Sequence, residues 1–127
     1  MTSEDKELLI KDLCARLPYG VQCCAKNNHK ISGSLVGIIG ENVHIFSSGH
    51  GVFSINVIKL YLFPLSSMTE EEKEEYCKLQ QRVIYNSKGV VNEDVTKYIN
   101  WCYEKHLDIN NLIPMGLAID ATGLNIY

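Results

Sequence analysis

The sequence lacks most of the features that mark specialised protein classes. It has three prolines, Pro18, Pro64 and Pro114, and neither a repeat nor a low-complexity stretch, which argues against solenoid and disordered architectures. No apolar run approaches the ~18 residues a membrane span requires. There is no basic excess: 12 Lys/Arg face 15 Asp/Glu, and the net charge of −3 carries no global signature for nucleic acid or anionic lipid. The five cysteines, Cys14, Cys23, Cys24, Cys77 and Cys102, are odd in number and show no repeated CxxC spacing, so neither a disulfide framework nor a zinc ribbon is expected. They read as reduced thiols acting as small hydrophobes, with Cys14, Cys77 and Cys102 in apolar helical stripes. Residues 2–7, TSEDKE, are polar and acidic with no apolar segment behind them, so no secretory leader and a cytoplasmic location are expected.

Catalytic and cofactor motifs are missing too. There is no GxxxxGK[ST], no GxGxxG opening a helix and no GxSxG. The glycines around Ser48–Gly51 and Ile31–Ser34 fit hairpin turns better than phosphate loops. His29, His44, His50 and His106 show no HxxxH spacing. Adjacent Cys23 and Cys24 on a strand point to opposite faces and share a metal poorly. Cys24 near His29 is the one candidate Cys–His pair, and a strand cysteine far more often packs than reacts. No enzyme activity, cofactor or metal is expected.

What is present is a soluble-type composition, 46% apolar and 21% charged, over 127 residues, enough for one domain with its own core. Thr2 or Ser3 can cap a first helix, with Glu4 and Asp5 in its first turn and Leu8, Leu9, Asp12, Leu13, Arg16 and Leu17 at helical spacing; Pro18 ends it. Strands are expected over 21–26, 31–39, 43–47 and 52–55. The polar stretch 27–30 reads as a turn. Residues 57–63 read as a fifth strand, or as one helical turn and a strand. Gly33 and Gly37 suggest bulges or sharp bending. Short strands about ten residues apart predict a small antiparallel meander, bent towards a partly open barrel that resembles a Tudor-like or Src-homology-like one.

Pro64 stops the sheet. Thr69 and Glu72 form a capping box, and Glu70 and Glu71 complement the dipole of a second helix, so the acidic run 70–75 reads as a solvated helix start. Tyr76, Cys77, Leu79, Val83 and Ile84 form its apolar face, and residues 86–89 its stop. Asn92 can cap a third helix, and Asp108 one short turn over 109–113. Residues 117–127 form a short extended tail. The fold class is therefore α+β in a single domain, 1–127, with a strand-rich part over 18–65 and a helical part over 69–107.

Charge is unevenly placed. Residues 1–65 carry six Lys/Arg against five acids, net +1, and residues 66–127 six against ten, net −4. Lys26, Lys30 and Lys59 face Glu41 alone within 18–65. Tyr61, Phe63 and Trp101 head a set of aromatics flanking the sheet–helix junction. Most such aromatics seal cores. On a sheet face they also make platforms for peptides or bases. The expected function is a non-enzymatic module that binds another macromolecule, a protein in preference to nucleic acid and with no membrane role, through Tyr61, Phe63, Trp101, Lys26, Lys30 and Lys59. A nucleic-acid-binding barrel is the alternative. A small hydrolase-like enzyme has no positive sign.

Three segments, DLCARLPYG, PLSSMTEEEKEEY and the tail INWCYEKHLDINNLIPMGLA, occur in this order. The chain thereby resembles a group of small uncharacterised proteins of gut bacteria and their prophages. There, segments of the type DLCARLPYG, PxSSMTEEEKxEY and WLxxxHxDxxGLIxxGLA recur. The resemblance covers most of the chain and implies no activity; it implies a phage- or mobile-element-related setting. The tail departs from the pattern at Asn111 and Pro114, where Gly and a charged residue are expected, which leaves the form of its last helical turn open.

Overall fold

The computed structural model describes residues 2–47, 49–85 and 92–127. Helix α1, Ser3–Arg16, starts on a reciprocal cap. Thr2 Oγ1 accepts the Asp5 amide at 3.0 Å, and the Asp5 carboxylate accepts the Thr2 amide at 3.3 Å. Pro18 cannot continue the helix, so a single 3-10 turn, Leu17–Tyr19, leads to Gly20 at φ +68°. Leu9 and Leu13 are fully buried. Cys14 is exposed, contrary to expectation, because it lies about 100° around the helix from Leu13.

The strands are β1 Gln22–Ala25, β2 Asn28–Ile39, β3 Asn42–Phe46, β4 His50–Ser54 and β5 Ile58–Leu62, with β6 Ala118–Asp120 from the tail. β2 begins earlier than its apolar pattern suggests and takes in His29 and Lys30. The sheet order is β4-β3-β2-β1-β5-β6. The first five strands pair antiparallel: β1 to β4 through short connections, and β5 by returning to the free side of β1. The sheet stays open, with β4 and β6 at its edges.

The two interior glycines of β2 have different reasons. The register of β2 on β3 slips between Leu35 and Gly37, leaving Val36 as the extra residue of a bulge. Gly33 instead permits a close approach: a Cβ there would sit 2.4 Å from the carbonyl oxygen of Phe46. A 3-10 turn, Ile55–Val57, carries the chain from β4 to β5, so residues 57–63 supply a turn end and then a strand.

The tail is extended at Ala118–Asp120 as expected, but its place in the sheet as β6 was not foreseen. It pairs parallel to β5, with Leu60 opposite Ala118 and Leu62 opposite Asp120. Parallel pairing requires a long crossover, which α2, Glu70–Tyr85, and α3, Asn92–Glu104, provide. The α2 start is the expected box: Glu72 N donates to Thr69 Oγ1 at 3.1 Å and Thr69 N to Glu72 Oε1 at 3.0 Å. α2 packs on α3 through Tyr76, whose ring meets Tyr98 and Trp101 and whose hydroxyl accepts from the Tyr98 hydroxyl at 2.9 Å. Leu79 is buried, whereas Cys77 is exposed two positions earlier. The expected stop at 86–89 and the Asn92 cap lie outside the described residues and side chains.

α1 lies on one face of the sheet. Its Leu9 and Leu13 pack with Val21, Cys23, Leu35, Val43, Ile45, Leu60 and Leu62, joined by Leu112 and Leu117 from the tail. Each such fully buried side chain stabilises the fold by about 1.5–3 kcal/mol before entropy is counted. Among the described residues, the opposite face is covered over β1 and β5. There Cys24, Tyr61 and Ala121 are buried with Phe63, Ile119 and Ile126 packed against them.

Candidate functional site

Three places concentrate polar or exposed apolar groups. The first is a buried polar knot where α1 meets the segment after α3. Asp12 and Arg16, one helical turn apart, are both inaccessible to solvent. Arg16 Nε and Nη2 hold the two Asp12 carboxylate oxygens, and Nη2 also donates to the Leu107 carbonyl at 2.7 Å. Asn110 Nδ2 donates to Asp12 Oδ2 at 2.8 Å. The guanidinium lies 4.8 Å from the centre of the Tyr103 ring. Arg16 Nη1 is enclosed without a hydrogen-bond partner among the described residues. Beside the knot, Asp108 takes the amides of Leu112 at 2.8 Å and Ile113 at 2.9 Å, which fixes the expected short turn. Asn111 in that turn has φ +61°. Asparagine is among the few residues besides glycine that tolerate left-handed backbone.

The second place is the stack of His106 on Tyr127. The rings lie 3.8 Å apart at 14°. His106 follows α3 with φ +57° and its carbonyl accepts the Phe63 amide at 2.8 Å. Burial, with Arg16 nearby as the smaller cause, lowers the imidazole pKa to about 4. Its Nδ1 is enclosed and has no partner among the described residues. The Tyr127 hydroxyl sits between β1 and β5 just beyond their last paired residues. It accepts the Gln22 amide at 2.9 Å and donates to the Tyr61 carbonyl at 2.7 Å. Although 45% of Tyr127 is exposed, its hydroxyl is the enclosed end, and burial raises its pKa. A cavity of about 340 Å³ opens next to this stack, lined by Phe63, Ser67, Glu72, Glu104, Lys105 and His106 among others. Glu72 there is already engaged in the α2 cap.

The third place is the outer side of β2, β3 and β4, the side away from α1. Phe46 stands opposite Ser34 and His50, and His44 opposite Gly37 and Val52. Val36, Ile39, Phe46 and Val52 are 51%, 69%, 53% and 56% exposed. Among the described residues, no tail or helix covers this side as the 121–127 segment covers β1 and β5.

The structure does not assemble the anticipated binding residues into one platform. Tyr61 is buried against Cys24. Phe63 is half-buried with its ring 5.7 Å from Tyr127, and Trp101 is half-buried against Tyr76. Lys26 and Lys30 are exposed beside the β1–β2 turn, and Lys59 lies opposite Cys24. None of the three lysines forms an ion pair among the described residues. The residues missed were Asp12 and Arg16, read only as part of a helical stripe, and the exposed apolar residues of β2–β4. A charged i, i+4 pair inside an otherwise apolar stripe was the available signal for the first.

Burial raises the pKa of Cys23, of Cys24 and, to about 11, of Cys102, so none of these buried thiols is disposed to form a thiolate. No group of three or more His, Cys, Asp or Glu able to hold a metal occurs among the described residues, and no described helix is long and apolar enough to cross a membrane. The chain matches no protein-family model, no curated protein and no solved structure.

Proposed function

We propose that this protein is a non-enzymatic protein-binding module, working in the phage- or mobile-element-related setting that the resemblance implies. The observation carrying this reading is the exposed apolar side of β2–β4. Single exposed apolar residues are ordinary. Val36, Ile39, Phe46 and Val52 instead share one side of three neighbouring strands around His44 and reach an edge strand, and exposed apolar residues grouped in this way favour an interaction surface. The raised thiol pKa values support the non-enzymatic part.

Phe46→Asp combined with Val36→Ser tests the reading. Both side chains are exposed, so the variant should keep its thermal midpoint within about 2 °C. Affinity capture from the native host should retain a protein with the wild type that the variant loses. An unchanged set of retained proteins would overturn the reading. Retention of an oligonucleotide at low salt, abolished by Lys26→Ala with Lys30→Ala, would put nucleic acid in the partner's place.

A further inference from the structure

β4 is an edge strand whose pairing can be resolved residue by residue. Ser47 N donates to Gly49 O at 3.2 Å at one end of the β3–β4 hairpin, and Ile55 N donates to Glu41 O at 2.8 Å at the other. Between them the opposed pairs run from Phe46–His50 to Asn42–Ser54. Bonded and non-bonded pairs alternate in an antiparallel ladder. Gly51 and Phe53 therefore bond to β3, and the main-chain groups of His50, Val52 and Ser54 point away from it, to the open edge. The strand, HGVFS, carries none of the usual edge guards: no lysine, no proline, no carboxylate and no bulge. The other edge, β6, is three residues long and ends at Asp120.

A cavity of about 340 Å³ lies against the inner side of the same strands. It is lined by Ile31, Ile45, Gly51 and Phe53 together with Lys30 and Ser47. A strand added at β4 would extend both sides of the sheet. Its alternate residues would face this cavity on one side and continue the Val52–Phe46 patch on the other. Charge differs between the two ends of the strand. Lys30, on β2, lines the cavity beyond the His50 end, and Glu41, the one acidic residue within 18–65, is exposed in the β2–β3 turn at the Ser54 end, where its main-chain carbonyl accepts the Ile55 amide.

We infer that β4 is a strand-addition site whose occupant is an extended segment of a partner protein with alternating apolar residues and an acidic C-terminal end. Antiparallel addition places that end at the His50 end, on the side of the cavity that Lys30 lines, and away from Glu41. Main-chain bonds to Val52 and its neighbours supply affinity, and the cavity and Lys30 supply selectivity. The inference rests on the protein-binding reading and names the chemistry of the partner.

The probe is a blocked heptapeptide alternating valine and threonine with two aspartates at its C-terminal end, compared with one ending in two lysines. Titration is followed by the backbone amide resonances of the full-length chain. The acidic peptide is expected to shift β4 amides with a Kd below about 1 mM and to bind about tenfold tighter than the basic one. Val52→Pro removes an outward amide without removing a bond to β3, so it should fold and lose binding. Val52→Thr, which keeps the amide, should bind. Lys30→Glu should reverse the preference between the peptides, a readout independent of whether Val52→Pro folds. Absence of β4 shifts with the acidic peptide, or binding indifferent to Val52→Pro and Lys30→Glu, would overturn the inference. If Phe46→Asp loses a host partner that Val52→Pro retains, strand addition is refuted and the protein-binding reading stands. If neither variant loses a partner, both fall.

Discussion

Arg16 and His106 are the side chains whose surroundings constrain the protein most. Arg16 is buried with its charge matched by Asp12 and its second nitrogen bonded to the Leu107 carbonyl. Arg16→Ala leaves the Asp12 carboxylate enclosed with Asn110 as its remaining partner. The expected loss is about 3–5 kcal/mol in urea unfolding, much of it recovered in Asp12→Leu/Arg16→Met, which removes both charges. His106 sets a pH dependence. With its pKa lowered to about 4, the folded chain binds fewer protons than the unfolded chain between that value and the ordinary 6.5. Stability contributed by this group should be complete above pH 6.5 and be lost as pH falls to 4, by about 2–3 kcal/mol. His106→Asn, which tolerates the left-handed backbone, should flatten that part of the stability–pH curve. The Asp12–Arg16 pairing left a local signal, but the rest of each residue's surroundings did not. Arg16 is explained by a carbonyl 91 positions away, and His106 by a ring at position 127.

At the level of elements, what was legible was local. Thr2 with Asp5, Thr69 with Glu72 and the proline after Leu17 are signals spanning a few residues, and the helix starts and stops fall where they point. The meander was legible because its turns are short and glycine-bearing. β6 was not: its pairing partner lies about sixty positions earlier, and Ala118–Asp120 has no pattern of its own. The exposed side of β2–β4 was equally hidden. Alternation along a strand separates two sides without saying which one the rest of the chain will cover. The seam between β1 and β5 offers a test at this scale. Tyr127→Phe leaves the Gln22 amide and Tyr61 carbonyl without the hydroxyl that bridges them, and should cost about 1–3 kcal/mol. Faster hydrogen exchange at Gln22, with exchange in α2 unchanged, is the expected signature.

The whole molecule is closed by its tail. Asp12 is tied to Asn110 across 98 positions and Gln22 to Tyr127 across 105. Leu112 and Leu117 complete the core under α1, and Ile126 helps seal the far face over β1 and β5. The molecule thus has one face finished by its own chain and one, over β2–β4, left open, and the positive and negative halves of the sequence meet in this single sheet. The buried Arg16 also bears on synthesis. A ribosome delivers α1 and strands β1 to β5 well before residues 107–110. Until those residues emerge, the guanidinium has only Asp12 to satisfy it, and enclosing the pair in a finished core is unfavourable. Closure of the core over α1 is therefore expected to wait for residues 107–110.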